Sequence, residues 1–164
     1  MSDALSIREI GADEFSGAWS IFQKVIAAGD TYSYPPDMRM EQARAMWTTP
    51  PSRCFIAESS SEILGLYMLR PNQPGLGDHV ANAGYMVSPH ARGQGIASAM
   101  CEHSLDEARS SGFQAMQFNF VVSTNEGAVR LWQRHGFEIV GRIPGAFRHA
   151  AYGPTDVYVM HRML

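Results

Sequence analysis

Val87-Ser88-Pro89-His90-Ala91-Arg92-Gly93-Gln94-Gly95-Ile96-Ala97 is the stretch from which the rest of the chain is read. Before it, His79 to Val87 reads as a strand; after it, Gln94 to Ser111 reads as a helix. A tight turn with two glycines joins them. The first turn of a helix carries N–H groups with no partner inside the helix, and they form the positive end of its dipole. Glycines clear away the side chains that would keep an anion from those groups, so a strand, a glycine turn and a helix start make a phosphate cradle. Two familiar cradles are excluded. No Gly-Lys pair is present, so the stretch is not a P-loop. Ser98 stands where the third glycine of Gly-x-Gly-x-x-Gly belongs, so it is not the dinucleotide fingerprint.

What the stretch does fit is Arg/Gln-x-x-Gly-x-Gly/Ala, read as Arg92-Gly93-Gln94-Gly95-Ile96-Ala97. This resembles the acyl-CoA loop of the GNAT superfamily of N-acetyltransferases. A second stretch follows in the family's order. Asn125-Glu126-Gly127-Ala128-Val129-Arg130-Leu131-Trp132-Gln133-Arg134-His135-Gly136-Phe137 resembles Asn-x-x-Ala-x-x-Leu-Tyr-x-x-x-Gly-Phe. Residues 79–141 carry the match. The resemblance implies acetyl-CoA as cosubstrate, without a metal. The amides of Arg92, Gly93, Gln94, Gly95, Ile96 and Ala97 would hold its pyrophosphate. Met86 and Val87 would contact the pantetheine and polarise the thioester carbonyl. Asn125 would contact the pantetheine arm, and Trp132 would line the same site.

The chain departs from the family at two positions. Trp132 replaces the usual Tyr, which is thought to protonate the leaving thiolate; an indole N–H donates a hydrogen bond but is no usable acid. Some relatives carry a Glu five residues before the Asn, where this chain has Phe120. A base must come from elsewhere or from water. His79 is the one ionisable group on the strand face shared with Ala81 and Ala83, and histidine titrates near working pH. Asn82 and Asn119 are amides in otherwise apolar strands flanking the expected gap, placed to orient the reactants. The acceptor pocket would be bordered by residues 30–37 and 144–152. There Tyr32 and Tyr34 offer ring faces and hydroxyls, and Arg148 or His149 could meet a carboxylate. A small or amino-acid-like amine suits that mixture. A protein N-acetyltransferase and a non-catalytic acyl-CoA sensor are the rival readings.

The remaining elements follow from periodicity. Leu5 to Ile10 alternates as a strand. Asp13 would cap a helix from Glu14 to Ala28, and Met40 to Trp47 forms a second. Cys54–Glu58 and Glu62–Arg70 form a hairpin, and Pro71–Asp78 a loop. Gly112 ends the helix after the cradle, Gln114–Val122 is the next strand, and Asn125 caps the next helix. Phe137–Gly141 and Asp156–His161 are the last strands, with a loop over Ile143–Pro154. The expectation is an α/β (α+β) fold: one domain over 1–164, with a mixed, twisted sheet of six to seven strands and helices on both faces.

Composition agrees with that class. Of 164 residues 45% are hydrophobic and 18% charged, as in soluble globular proteins. A net charge of −3 without a Lys/Arg block disfavours nucleic acid. No apolar run approaches the roughly 20 residues of a membrane span. Met1-Ser2-Asp3-Ala4-Leu5 lacks the basic and apolar regions of a signal peptide. Cys54 and Cys101 read as buried free thiols, in keeping with a cytoplasmic location. A homodimer completes the expectations.

Overall fold

A computed structural model describes residues 4–164; Met1 to Asp3, part of the N-terminal stretch read above, lie outside the described residues. The chain runs β1 (Ser6–Ile10), a 3-10 segment (Ala12–Ala18), α1 (Trp19–Ala28), α2 (Met40–Thr48), β2 (Arg53–Ser59), β3 (Glu62–Pro71) and β4 (Val80–Val87). It continues through α3 (Ile96–Ser110), β5 (Ala115–Val122), α4 (Glu126–Arg134), β6 (Glu138–His149) and β7 (Gly153–Met163). The strands form one seven-stranded sheet in the order β1-β2-β3-β4-β5-β7-β6. The neighbours are antiparallel except β4 and β5, which are parallel. The expected mixed sheet with helices on both faces is what forms.

Strand parity divides the core. In β2, Cys54 and Ile56 pack on one face while Phe55 and Ala57 pack on the other. In β3, Leu66 and Met68 share the first face, and Tyr67 and Leu69 the second. Burial on both faces explains why these strands read as continuous apolar runs. The first face is covered by α1, α2 and the 3-10 segment, through Phe15, Phe22, Ile26 and Trp47. The second is covered by α3 and α4, through Ile96, Met100, Leu105 and Trp132. Fully burying each such side chain contributes about 1.5–3 kcal/mol. The hairpin between β2 and β3 turns at Ser60 and Ser61, both with positive φ, as a two-residue type I′ loop requires. Cys54 and Cys101 are buried free thiols, and burial pushes each up to about 12, so neither is reactive near neutral pH. No described helix is long and apolar enough to cross a membrane.

Three elements differ from the sequence expectation. The first helix begins as a 3-10 segment with Gly11 at its N-cap position, so Asp13 caps nothing. Phe15 and Ala18, three residues apart, are both fully buried, a spacing that the three-residue turn aligns. The helix after the glycine turn starts at Ile96, two residues later than expected, because Gly93 (φ 76°) and Gly95 (φ 80°) are left-handed. Finally, Ile143 to Pro154 is no loop: β6 and β7 pair as far as His149↔Gly153. Pro144 and Gly145 fall where the register shifts between Ile143 and Phe147. An edge strand tolerates such a break, because its outer side has no partner to lose.

Candidate active site

The parallel pairing of β4 with β5 covers only Val80↔Ala115 and Ala81↔Met116. At the next residue, the Asn82 side-chain amide donates to the Gln117 carbonyl at 2.9 Å and closes the fork. Beyond it a register shift between Phe118 and Val121 bends β5 and adds to its twist. The strands separate, and a cavity of about 880 Å³ opens between them. It passes through the sheet. Arg92, Gly93 and residues 95–98, with Asn125 and Trp132, line it from the α3–α4 side, and Asp30 to Tyr34 line it from the α1–α2 side. The β4 edge facing the gap, from Asn82 to Val87, has no strand partner on that side. Its backbone is available to an extended ligand, as a sheet edge is to an added strand.

The glycine turn forms the anion end. Gly95 is the N-cap of α3 and no side chain caps the helix, so the first-turn N–H groups stay open. Arg92, Gly93, Gly95, Ile96 and Ala97 line the cavity. A Cβ built on Gly93 or Gly95 would meet nothing within 4 Å, so the space above the turn is clear. Open N–H groups, a helix dipole and Arg92 fit a phosphate-bearing ligand such as CoA. Gln94 does not line the cavity; its side chain turns back and donates to the His90 carbonyl at 3.2 Å.

On α4, Asn125 occupies the N-cap position, but its side chain makes no capping hydrogen bond, contrary to expectation. It lines the cavity instead. Trp132 is buried and packs on Tyr85 (4.8 Å between ring centroids) and Phe118 (5.0 Å), joining α4 to both diverging strands. Met86 and Val87 line the cavity.

Tyr32 and Tyr34 are also brought to the cavity. Their rings stack at 5.4 Å. The Tyr32 hydroxyl donates to the Tyr85 carbonyl at 3.0 Å, and the Trp47 indole donates to the Tyr34 hydroxyl at 3.1 Å. Burial holds the Tyr32 and Tyr85 phenols well above the usual tyrosine value, so neither is a base near neutral pH. Asn119 is exposed; it lines the cavity and donates to Asn72 Oδ1 at 2.7 Å. Two candidates are not brought in. His79 is exposed in the turn before β4, whose first residue is Val80, and it lies outside the cavity lining. Arg148 is exposed on β6, paired with Pro154, and is also outside it.

Sequence reasoning missed Arg70, Arg134 and Gly84, and gave Asp30 no role beyond the border of the acceptor pocket; all four line the cavity. A glycine inside a strand was the available signal for Gly84, since it marks a close approach. A Cβ there would meet the Tyr32 hydroxyl at 2.9 Å. Gly84→Ala should therefore displace Tyr32 and raise the acceptor KM severalfold, leaving acetyl-CoA affinity unchanged; steady-state kinetics with each substrate varied checks this. Nothing in residue spacing marks Asp30, Arg70 or Arg134. Among the described residues no three His, Cys, Asp or Glu side chains converge as a metal site would require.

A family model described as the acetyltransferase (GNAT) family matches residues 14–137, from the 3-10 segment to the turn after α4. The chain belongs to that family. A GCN5-related N-acetyltransferase from Kribbella flavida is 42% identical, with TM-score 0.93 and 98% of each chain covered. N-acetyltransferase aca1 of Schizosaccharomyces pombe is 36% identical over 104 residues, 62% of this chain and 50% of that protein. Protein SPT10 of Saccharomyces cerevisiae is 29% identical over 85 residues, 52% of this chain and 13% of its own length. The chain thus spans half or less of these curated relatives. A GNAT superfamily phosphinothricin acetyltransferase from Sinorhizobium meliloti, in complex with AcCoA, shares the fold at 19% identity and TM-score 0.84, with 98% of this chain and 88% of that one covered. The forked GNAT sheet accounts for the cavity's place, and the family's two motifs form its α3–α4 side.

Proposed function

We propose that this protein is an acetyl-CoA-dependent N-acetyltransferase that acetylates a small or amino-acid-like amine by direct transfer in a ternary complex. The observation that carries this is the cavity through the forked sheet, with an anion cradle on one side and a polar, aromatic mouth on the other. Acetyl-CoA supplies the activated thioester. The free β4 edge at Met86 and Val87 orients it, and backbone N–H groups there polarise the carbonyl. The amine nitrogen attacks the carbonyl carbon, the C–N bond forms, the C–S bond breaks, and CoA leaves as its thiolate. Fixing both reactants in one cavity can itself supply about 7–11 kcal/mol of the barrier. Asn82 holds the fork, and Asn119 orients the acceptor.

Because His79 stands outside the cavity, water carries the amine's proton away. His79→Gln should accordingly leave the pH profile of kcat/KM between about pH 5.5 and 9.5 as in the wild type; loss of a limb in the variant would restore His79 as a relay. The reading as a whole is tested by CoA release and amide formation across an amine panel. Acetyl-CoA binding without turnover on any amine would instead support an acyl-CoA binding module.

A further inference from the structure

Among the described residues, Asp30 is the single acid of the charged residues that line the cavity; the others are Arg70, Arg92 and Arg134. Its Oδ1 is also the one buried side-chain oxygen or nitrogen without a hydrogen-bond partner among the described residues. Buried polar atoms are nearly always paired, so an orphan oxygen in a residue that lines a cavity points to a ligand that supplies the donor. A carboxylate accepts only, so that ligand must donate.

The position of Asp30 is fixed from both sides. Gly29 before it is the left-handed C-cap of α1, and its carbonyl accepts from the Ala150 N–H at 2.9 Å. Tyr32 after it is tied to the Tyr85 carbonyl on β4. A short segment held at both ends keeps its carboxylate in place, so ligand binding need not order it. The stacked rings of Tyr32 and Tyr34 line the same mouth, and aromatic faces favour a cation. Asp30 makes no ion pair with Arg70 among the described residues, so its charge is free for a ligand.

We propose that Asp30 selects the acceptor by accepting hydrogen bonds from its ammonium group, so that the substrates are amines that arrive protonated. This deepens the acetyl-transfer reading and rests on it. The bound ammonium gives its proton to water before attack, by the route drawn above.

The test titrates n-butylammonium chloride, with n-butanol as the neutral isostere, into wild type, Asp30→Asn and Asp30→Glu at pH 7, with and without CoA. Butylammonium should bind wild type, weaken at least tenfold in Asp30→Asn, and recover in part in Asp30→Glu. Butanol and CoA affinities should be the same in all three. Equal butylammonium binding in wild type and Asp30→Asn overturns the proposal, as does no binding to wild type or a parallel loss of butanol. Failure of CoA to bind wild type would count against the acetyl-transfer reading, and the CoA-free titration then decides Asp30 separately. Should Asp30→Asn not fold, the Asp30 carboxyl carbon is followed by 13C NMR in wild type. A shift that saturates with butylammonium supports the proposal, and no shift overturns it.

Discussion

Gly95→Glu should remove acetyl-CoA binding and leave the fold in place. Two effects act together. Gly95 sits at φ 80°, where a side chain costs roughly 1–2 kcal/mol. The new carboxylate would enter the space above the turn, which is clear to 4 Å, and repel the phosphate that the open N–H groups attract. Since no neighbouring atom is displaced, the damage falls on the ligand and not on the core. Acetyl-CoA at about 100 times its Kd should stabilise the wild type by ~2.7 kcal/mol, and Gly95→Glu should show none of this. Gly95→Ala separates the causes: it carries the backbone strain without the charge, and should lose part of the affinity. A thermal-shift titration with acetyl-CoA measures all three proteins. Undiminished binding by Gly95→Glu would place the phosphate elsewhere.

Trp132→Ala should be the most destabilising of the substitutions considered, by about 3–5 kcal/mol, the usual range for truncating a buried aromatic. The indole joins α4 to Tyr85 on β4 and Phe118 on β5, where the sheet has no hydrogen bonds of its own. Truncation therefore loosens the fork as well as emptying a core site. Trp132→Phe keeps a ring between the two strands and should retain most turnover, because no step assigned above uses the indole as an acid. Denaturant unfolding of both variants, with kcat for the Phe variant, checks the pair. A folded Phe variant slowed by more than ~10²-fold would show that the indole N–H takes part, since a positioned proton donor is worth about that much.

The cavity side proposed for the cofactor was legible because its geometry is local. Arg92, Gly93 and Gly95 line the cavity at one strand-to-helix junction, and the motif that builds the junction lies within one short stretch. Gln94 fits the motif but not the cavity, since a side chain that finds its own backbone acceptor leaves the site whatever its neighbours do. The acceptor half was legible only in part. Tyr32 and Tyr34 stood out as aromatics in an irregular segment. His79 was read by strand parity, and parity fails one residue before a strand begins. Arg148 was placed in a loop that proves to be the edge strand β6.

The sequence by itself determined the class of fold, the order of its elements and the phosphate turn, because hydrophobic period and positive-φ glycines are properties of neighbouring residues. The resemblance implied a gap between β4 and β5, but only the tertiary structure decided the residue at which the sheet forks. That depends on pairing between β4 and β5, whose partners are 35 residues apart in sequence, stopping after two residue pairs. It decided likewise that Asp30, beyond the end of α1, and Arg70, near the end of β3, share one cavity with Asn82. An acceptor site assembled from loops and strand ends leaves no periodic trace, because its members meet through the packing of separate elements.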